Sequence, residues 1–199
     1  MTDLYLLGID IQKDFCPGGS LAVPEGDLVV EPWNAITHAL RPVATAVIFS
    51  RDFHPPVTNH FNTGGGDWPP HCVRGTAGAA FHDQLEVAAE DIIISKGVAK
   101  DDPGYSAYRS LCGTIAIKPE ALFLVGGLAI DYCVKATVLD LLAAGWAVKL
   151  VPEALRAVDA SPGGSGESAW RQMMAQGAKT IGVEEALSRY RDGVWRERY

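Results

Sequence analysis

The sequence predicts a single doubly wound α/β domain over residues 1–199, with a mostly parallel six-stranded sheet and helices on both faces. Short apolar runs alternate along the chain with segments of helical periodicity, which is typical of parallel strands joined by helical crossovers. The apolar runs lack the polar alternation of a half-exposed strand, so we expect both faces of the sheet to be covered. With 199 residues, of which 48% are hydrophobic, the chain is long enough to form one full core.

The predicted elements follow one another in a regular order. Strands are expected at residues 4–9, 44–49, 91–95, 121–125 and 147–151, with a sixth near 179–182. Apolar residues at helical spacing predict helices at residues 27–40, 132–144, 166–176 and 184–191. Residues 53–82, between the second and third strands, are rich in Pro, Gly and His and show no regular period. A loop of this length inside a compact domain usually carries a functional site.

Composition and charge argue against several classes of partner. The formal net charge is −7, and no basic block interrupts the mixture of acidic and basic residues, so we expect no nucleic-acid partner. The N-terminal residues lack a basic segment followed by a long apolar run, so neither a signal peptide nor a membrane span is expected. Four cysteines without a CxxC pair predict a reduced, cytoplasmic protein. The sequence leaves open whether the chain forms a homo-oligomer.

Polar side chains follow the first four predicted strands. Asp10, Asp52 and Lys96 come after the first three strands, and Cys133 follows the fourth through a short turn. In an open α/β sheet the active site lies outside the carboxyl ends of the strands. Each residue alone also fits a plainer role, as a helix cap or a solvated loop charge. Four such groups at successive strand ends are explained more economically by one shared cleft.

Cys133 lies between the fourth strand and the helix at 132–144. With Asp131 as the N-cap, the thiol would face unpaired N–H groups and the positive end of the helix dipole, which favour the thiolate. We expect the Asp131 carboxylate to point away from the thiol into the helix cap. Cysteine is also a common buried residue, so this position alone does not make Cys133 catalytic.

A cysteine nucleophile needs a base and a group that balances the developing charge. Asp10, with its pKa raised by burial, could accept the thiol proton while Lys96 stays cationic beside both groups. The backbone N–H groups around Ala129 and Cys133 would then form an oxyanion hole at the start of the helix. The residue types therefore fit covalent catalysis if the fold places them together.

Asp52, His54, His60 and His71 form a candidate metal site. Asp52 and His54 are two residues apart at a strand end, where alternate side chains share a face. His60 and His71 follow in the same proline-stiffened loop. One carboxylate and three imidazoles suit a divalent Zn, Mn or Fe ion, and the donor set does not choose among them. Histidines in a polar loop can also be ordinary surface residues.

Six segments of the chain resemble a known family. They are IDIQKDF, SRDFHPPVTNHF, WPPHCVRGTAGAAFH, ISKG followed by YSAY, GLAIDYCVKATVLD and GGSGESAWRQMMAQGA. In this order they are similar to the nicotinamidase/pyrazinamidase group of the isochorismatase-like cysteine hydrolases. The resemblance implies conversion of nicotinamide and water to nicotinate and ammonia through a thioester, often with activity on pyrazinamide. It also implies a metal ion that orients the pyridine nitrogen.

The resemblance assigns roles to individual positions. The family's catalytic residues match Asp10, Lys96 and Cys133. Its metal ligands match Asp52, His54, His60 and His71. Its substrate-contacting aromatic residues match Phe15 and Trp68, with Tyr105 near the pocket. A cis peptide at Leu128–Ala129 would aim the Ala129 N–H at the oxyanion.

Three departures and two alternatives accompany this assignment. Ile130 stands where the family usually has Thr, Lys13 replaces the usual Asn, and residues 99–104 (AKDDPG) match no motif. One alternative is a related amidase acting on another small carboxamide or carbamoyl amide. The other is a non-catalytic metal- or nucleotide-binding module, which the lack of a GxGxxG after the first strand disfavours.

Overall fold

A central six-stranded sheet forms the middle layer of the molecule. The computed structural model describes residues 3–191 and 194–195. Six strands belong to the sheet: β1 (Asp3–Ile9), β2 (Ala46–Asp52), β3 (Ile92–Lys96), β4 (Ala121–Leu128), β5 (Ala147–Arg156) and β6 (Lys179–Thr180). Their order across the sheet is β3-β2-β1-β4-β5-β6, and every neighbouring pair is parallel. The predicted doubly wound topology is confirmed, with a sheet that is parallel throughout.

Within the described residues, five α-helices cover the two faces of the sheet. They are α1 (Val30–Leu40), α2 (Tyr108–Thr114), α3 (Lys135–Ala143), α4 (Ser165–Ala175) and α5 (Val183–Arg189). Side chains of α1 and α5 join one apolar cluster, whereas those of α2, α3 and α4 join the other. Along β1, Leu4 and Leu6 face the first cluster, and Tyr5 and Leu7 face the second. The strands are therefore buried on both sides, as their continuous apolar character indicates.

The topology places the carboxyl ends of four strands at one edge. The winding direction reverses between β1 and β4, which pair in register from Asp3↔Ala121 to Ile9↔Gly127. A crevice opens at such a reversal, outside the carboxyl ends of the strands. On the other side of β1, strand β2 ends beside β3 with Asp52 paired to Lys96. Asp10, Asp52 and Lys96 therefore lie at this edge of the sheet.

Several predicted boundaries were wrong. The helix expected at 27–40 begins at Val30, after a 3₁₀ turn at Gly26–Val29. The helix expected to reach residue 191 ends at Arg189, because β7 (Tyr190–Arg191) pairs antiparallel with β8 (Val194–Trp195). The short helix α2 was not predicted. Its one buried apolar side chain, Leu111, gives no helical periodicity.

The described residues also show whether a membrane-spanning helix is present and in what state the cysteines are. Among the described residues, no helix has the length and apolar character needed to cross a membrane. The cysteines are free thiols, and Cys112 is exposed whereas Cys16, Cys72 and Cys133 are buried.

Candidate active site and metal centre

The register of β2 and β3 places Lys96 at the centre of the site. Asp52 and Lys96 are partners at the ends of these strands, and Lys96 Nζ donates to Asp52 Oδ1 at 2.6 Å. Nζ also lies 2.7 Å from Asp10 Oδ2 and donates to Cys133 Sγ at 3.3 Å. The lysine side chain is only 2% exposed. One buried cation therefore contacts two carboxylates and a thiol.

Asp10 is held by the residues that follow β1. Its backbone has a φ of 50°, in the left-handed region that few non-glycine residues adopt. Its N–H donates to the Ser50 carbonyl at 3.1 Å, and the Ser50 hydroxyl donates to Asp10 Oδ1 at 2.7 Å. These bonds to β2 turn the carboxylate toward Lys96.

Burial and charge shift the pKa values of these groups in different directions. Burial raises the pKa of Asp10, although Lys96 opposes the shift. Burial also disfavours the Asp52 carboxylate, but Lys96 and His54 outweigh it and lower the pKa of Asp52 to about 2. The two carboxylates raise the pKa of Lys96 well above its ordinary value, against the effect of burial. Lys96 is therefore a cation, and Asp10 is the carboxylate more easily protonated.

Cys133 lies in a π-helical turn, and its predicted capping was wrong. The turn spans Ile130–Val134 and precedes α3, with Ala129 at the N-cap and no side-chain cap. The Asp131 carboxylate points away from the thiol, as expected, but not into a helix cap. It accepts hydrogen bonds from the N–H groups of Val158 and Asp159 and from Ser165 Oγ.

The ionisation expected for Cys133 also differs. Burial raises the pKa of the Cys133 thiol well above its ordinary value, and the negative charges of Asp10 and Asp52 add to the effect while Lys96 opposes it. The thiolate expected from the position of Cys133 at a helix start is therefore disfavoured, even beside Lys96. The site favours the thiol over the thiolate, and a carboxylate oxygen of Asp10 lies within 4.8 Å of Cys133 Sγ.

The four candidate metal ligands converge beside this cluster. The imidazoles of His54, His60 and His71 each offer a nitrogen within 4.8 Å of the others. Asp52 Oδ2 lies 3.6 Å from His54 Nε2 and 3.9 Å from His71 Nε2. Asp52 thus directs one oxygen to Lys96 and the other to the histidines.

The state of the imidazoles fits a metal ion. Both ring nitrogens of the fully buried His54 lack a hydrogen-bond partner within the part of the chain that the structure describes. His71 Nδ1 lies 2.7 Å from the Pro69 carbonyl, which fixes the proton on Nδ1 and leaves Nε2 free to coordinate. Burial lowers the pKa of His60 to about 4 and also lowers that of His71. Neutral imidazoles with open nitrogens are the form that divalent metals bind.

A mostly apolar pocket connects the thiol and the histidines. Phe15, Trp68, Tyr105, Ala129 and Cys133 line it. So do three of the candidate ligands, namely Asp52, His60 and His71. Trp68 Nε1 donates to the Tyr105 hydroxyl at 2.9 Å, which fixes two aromatic walls against each other. The peptide Leu128–Ala129 is cis, as the resemblance implies.

Sequence reasoning missed several residues around this pocket. Its wall also includes Leu21, Val23, Leu128, Tyr132 and Val158. Gln12, behind the site, accepts from the Asp52 N–H and donates to the Asp52 carbonyl. The signals available in the sequence were the position of Gln12, two residues after Asp10, and that of Tyr132, next to Cys133.

Two positions that depart from the family pattern lie outside the pocket lining. Ile130 is not among the residues that line the pocket, and Lys13 forms an ion pair with Asp83 at 2.5 Å.

Comparison with known proteins gives consistent matches over most of the chain. The profile of the isochorismatase domain matches residues 5–185. A nicotinamidase of Escherichia coli is 35% identical over 201 residues, covering 89% of this chain and 94% of that protein. The crystal structure of Pyrococcus horikoshii pyrazinamidase in complex with zinc has a TM-score of 0.80 at 32% identity, covering 90% of this chain and 99% of that one. PnC1 of L. infantum in complex with nicotinate has a TM-score of 0.82 at 30% identity, covering 92% of this chain and 94% of that one.

Proposed function

The chain belongs to the isochorismatase domain family, and from this premise we propose that it is a metal-containing cysteine amidohydrolase that converts nicotinamide to nicotinate and ammonia. Pyrazinamide, a similar heteroaromatic amide, is expected to be a second substrate. The observation that carries the proposal is that Cys133 lines the same pocket as His60 and His71, with Lys96 Nζ 3.3 Å from the thiol. The similar proteins named above include a nicotinamidase, a pyrazinamidase with zinc and a protein with bound nicotinate.

Four residues are proposed to hold one divalent ion of zinc, iron or manganese. They are Asp52, His54, His60 and His71. When bound, the ion supplies a Lewis acid for the ring nitrogen of the substrate, which orients the carboxamide rather than activating the nucleophile. Both ring nitrogens of His54 lack a hydrogen-bond partner within the described residues, which supports this assignment. A buried imidazole without such a partner lowers the stability of the fold unless another group, such as a metal ion, binds it.

Activation of the thiol is proposed to depend on Asp10 and Lys96. Asp10, whose pKa is raised by burial, takes the proton from Cys133 Sγ. Lys96 contacts both groups, so the negative charge stays beside the same cation as it moves from the carboxylate to the sulfur. This arrangement lowers the cost of forming a thiolate in a buried site.

The thiolate is then proposed to attack the carboxamide carbon. The new S–C bond produces an oxyanion, which the N–H groups of Ala129 and Cys133 would stabilise. The C–N bond breaks as Asp10 returns its proton to the leaving nitrogen, so ammonia departs and a thioester remains. A water molecule gives a proton to Asp10 and its hydroxide attacks the thioester. The S–C bond of the second tetrahedral intermediate then breaks, which releases the carboxylic acid and leaves a thiolate. Asp10 returns its proton to the thiolate, and the acid gives its own proton to the released ammonia as nicotinate leaves.

The aromatic walls of the pocket are proposed to bind the substrate ring by stacking. Phe15 and Trp68 would contact the pyridine ring, and Tyr105 would support Trp68 through its hydroxyl. Aromatic surfaces contribute binding energy through area and ring stacking. Correct placement of the carboxamide over Cys133 gives the rate advantage of a positioned nucleophile.

Ammonia release from nicotinamide tests the function. We expect activity in the wild-type protein and in Cys112→Ala, which removes the exposed thiol, and none above background in Cys133→Ala. Metal content is measured on the same samples. Hydrolysis retained in Cys133→Ala would rule out covalent catalysis.

The substrate class needs a second comparison. The alternative amidase acting on other carboxamides or carbamoyl amides is not favoured, because the similar proteins named above are associated with nicotinamide, pyrazinamide or nicotinate. Inactivity on both heteroaromatic amides, with release of ammonia from carbamoyl amides, would reverse this preference. The cytoplasmic location stays a prediction.

A further inference from the structure

The 97–104 segment, which includes residues 99–104 that match no motif, lies against the candidate metal centre. It begins directly after Lys96 at the end of β3 and ends at Gly104, before α2. It contacts each part of the chain that carries a candidate histidine ligand. None of these contacts was predicted.

The first contact is between Gly97 and the ring of His54. A Cβ on Gly97 would lie 2.4 Å from His54 Cε1 and 2.6 Å from Nδ1, so the imidazole occupies the space of a missing side chain. Gly104 packs on Gly97 in turn, since its own Cβ would lie 2.7 Å from Gly97 Cα and 3.2 Å from Asp52 Oδ1. Both glycines have positive φ, at 63° and 73°. Only glycine allows the backbone to approach His54 and Asp52 this closely.

The second contact joins the segment to the part of the loop that holds His60. The Lys100 carbonyl accepts hydrogen bonds from Thr58 Oγ1 at 2.7 Å and from the Asn59 N–H at 2.8 Å. Thr58 Oγ1 also accepts from the His60 N–H at 3.2 Å. Thr58 is only 1% exposed, so its hydroxyl forms a buried bridge between Lys100 and His60.

The third contact reaches the chain that follows His71. Arg74 Nη2 donates to the Val98 carbonyl at 2.5 Å. The Arg74 N–H donates to the His54 carbonyl, and the His54 N–H donates to the Cys72 carbonyl. The strand-like pairing of His54 with residues 72–74 is thereby connected to the same segment.

We propose that the 97–104 segment positions the metal ligands, and that Thr58 and Gly97 are its main points of contact with His60 and His54. The inference rests on the proposed metal site. Groups that orient metal ligands commonly change metal affinity about 10- to 100-fold when they are removed. Because the segment continues from Lys96, one stretch of chain orders both the metal ligands and the cation of the cysteine cluster.

Thr58 provides the sharper test. Thr58→Val keeps the shape of the side chain and removes the hydroxyl, whereas Thr58→Ser keeps the hydroxyl. Zinc affinity of each metal-free protein is measured by competition with a chromophoric chelator, which requires no substrate. We expect Thr58→Val to bind zinc about 10-fold or more weakly and Thr58→Ser to bind like the wild type. At saturating zinc the kcat of Thr58→Val should recover, because the ligands themselves are intact.

Gly97 is tested with a glycine control. Gly97→Ala should weaken zinc binding further than Thr58→Val, since the added methyl group displaces His54. Gly145→Ala carries a similar backbone cost, with a φ of 89°, but its Cβ would meet nothing within 4 Å. We expect Gly145→Ala to bind zinc normally. Thermal unfolding of each metal-free variant separates loss of the fold from loss of the site.

The outcomes separate this inference from the proposed function. Equal zinc affinity in the wild type, Thr58→Val and Gly97→Ala overturns the inference and leaves the amidohydrolase proposal standing. Equal weakening in Thr58→Val and Thr58→Ser also overturns it, because the hydroxyl would then be irrelevant. A wild-type protein that binds neither zinc, iron nor manganese overturns both.

Discussion

Asp52 bridges Lys96 and the candidate metal ligands, with Oδ1 2.6 Å from Lys96 Nζ and Oδ2 3.6 Å from His54 Nε2. The pairing of Asp52 with Lys96 at the ends of β2 and β3 produces this arrangement. The same carboxylate therefore balances the charge of Lys96, the proposed catalytic cation, and offers an oxygen to the proposed metal site. The two halves of the proposed active site are electrostatically coupled through this side chain.

Replacing Asp52 should affect both halves, whereas replacing His60 should affect mainly the metal. Asp52→Asn is expected to weaken zinc binding about 100-fold or more and to leave kcat low even at saturating zinc, because Lys96 loses a buried anionic partner. His60→Ala should weaken zinc binding but regain a larger part of kcat when zinc is in excess. Both quantities are measured by zinc titration of the metal-free proteins, followed by ammonia release. Full recovery of Asp52→Asn by zinc would show that the coupling does not matter for catalysis.

The pH dependence of kcat/KM should report the state of Asp10. As the proposed base, Asp10 must be ionised in the free enzyme, so activity falls as the pH drops through its pKa. Because burial raises that pKa, the acid limb of the pH profile should have its midpoint above 3.8, the pKa of an ordinary aspartate. Burial lowers the pKa of His60 to about 4, so protonation of this proposed ligand would release the metal at low pH. Metal content is therefore measured at each pH, so that metal loss is not mistaken for titration of Asp10.

Replacing Ser50 should shift the midpoint of the same acid limb. Its hydroxyl stabilises the Asp10 carboxylate through a 2.7 Å hydrogen bond. Ser50→Ala should therefore move the acid limb to higher pH, by about one unit. Ser95→Ala removes a hydroxyl that accepts from Arg51 Nε instead, and should leave the limb in place. A limb that stays fixed in Ser50→Ala would point to a titrating group other than Asp10.

The hydrogen bond between Trp68 and Tyr105 should matter for substrate binding. Tyr105→Phe removes the acceptor of a 2.9 Å bond and keeps the ring, so KM for nicotinamide should rise about 5-fold with a smaller change in kcat. Trp68→Ala removes a whole wall of the pocket, and kcat/KM should fall by two orders of magnitude or more, roughly the scale of a lost aromatic contact. Steady-state kinetics on nicotinamide and pyrazinamide measure both. A Tyr105→Phe enzyme with unchanged KM would mean that Trp68 holds its position without this bond.

The edge-of-sheet residues could be predicted from sequence because their placement follows from topology. Parallel strands that are buried on both faces end at one edge, so Asp10, Asp52 and Lys96 had to lie near one another once the strands were identified. The identities of the loop histidines supplied the rest of the candidate metal site. These inferences needed only element order and residue chemistry.

Features that depend on loop conformation could not be predicted in the same way. Helix α2 buries one apolar side chain, so no periodicity marks it. The approach of Gly97 to His54 depends on positive φ values that the sequence does not specify. Asp131 was assigned to a helix cap because capping is local, whereas its actual partners lie in a loop about thirty residues later in the chain.

Asp131 should contribute to stability through that distant loop. Its buried carboxylate accepts three hydrogen bonds, from Val158 N, Asp159 N and Ser165 Oγ. Asp131→Ala would leave these donors without their partner and should lower the free energy of unfolding by about 3 kcal/mol. Val158 lines the substrate pocket, so KM should rise as well.

The matched control is Asp159→Ala in the same loop. Asp159 also accepts hydrogen bonds from Ser161 and Ser165, but it is half-buried whereas Asp131 is buried. Its replacement should cost less stability, because water can satisfy the released donors. Urea denaturation at fixed zinc concentration gives the free energies of unfolding, and steady-state kinetics give KM. If both variants lost the same stability and kept the wild-type KM, Asp131 would be an ordinary loop carboxylate without a role in shaping the pocket.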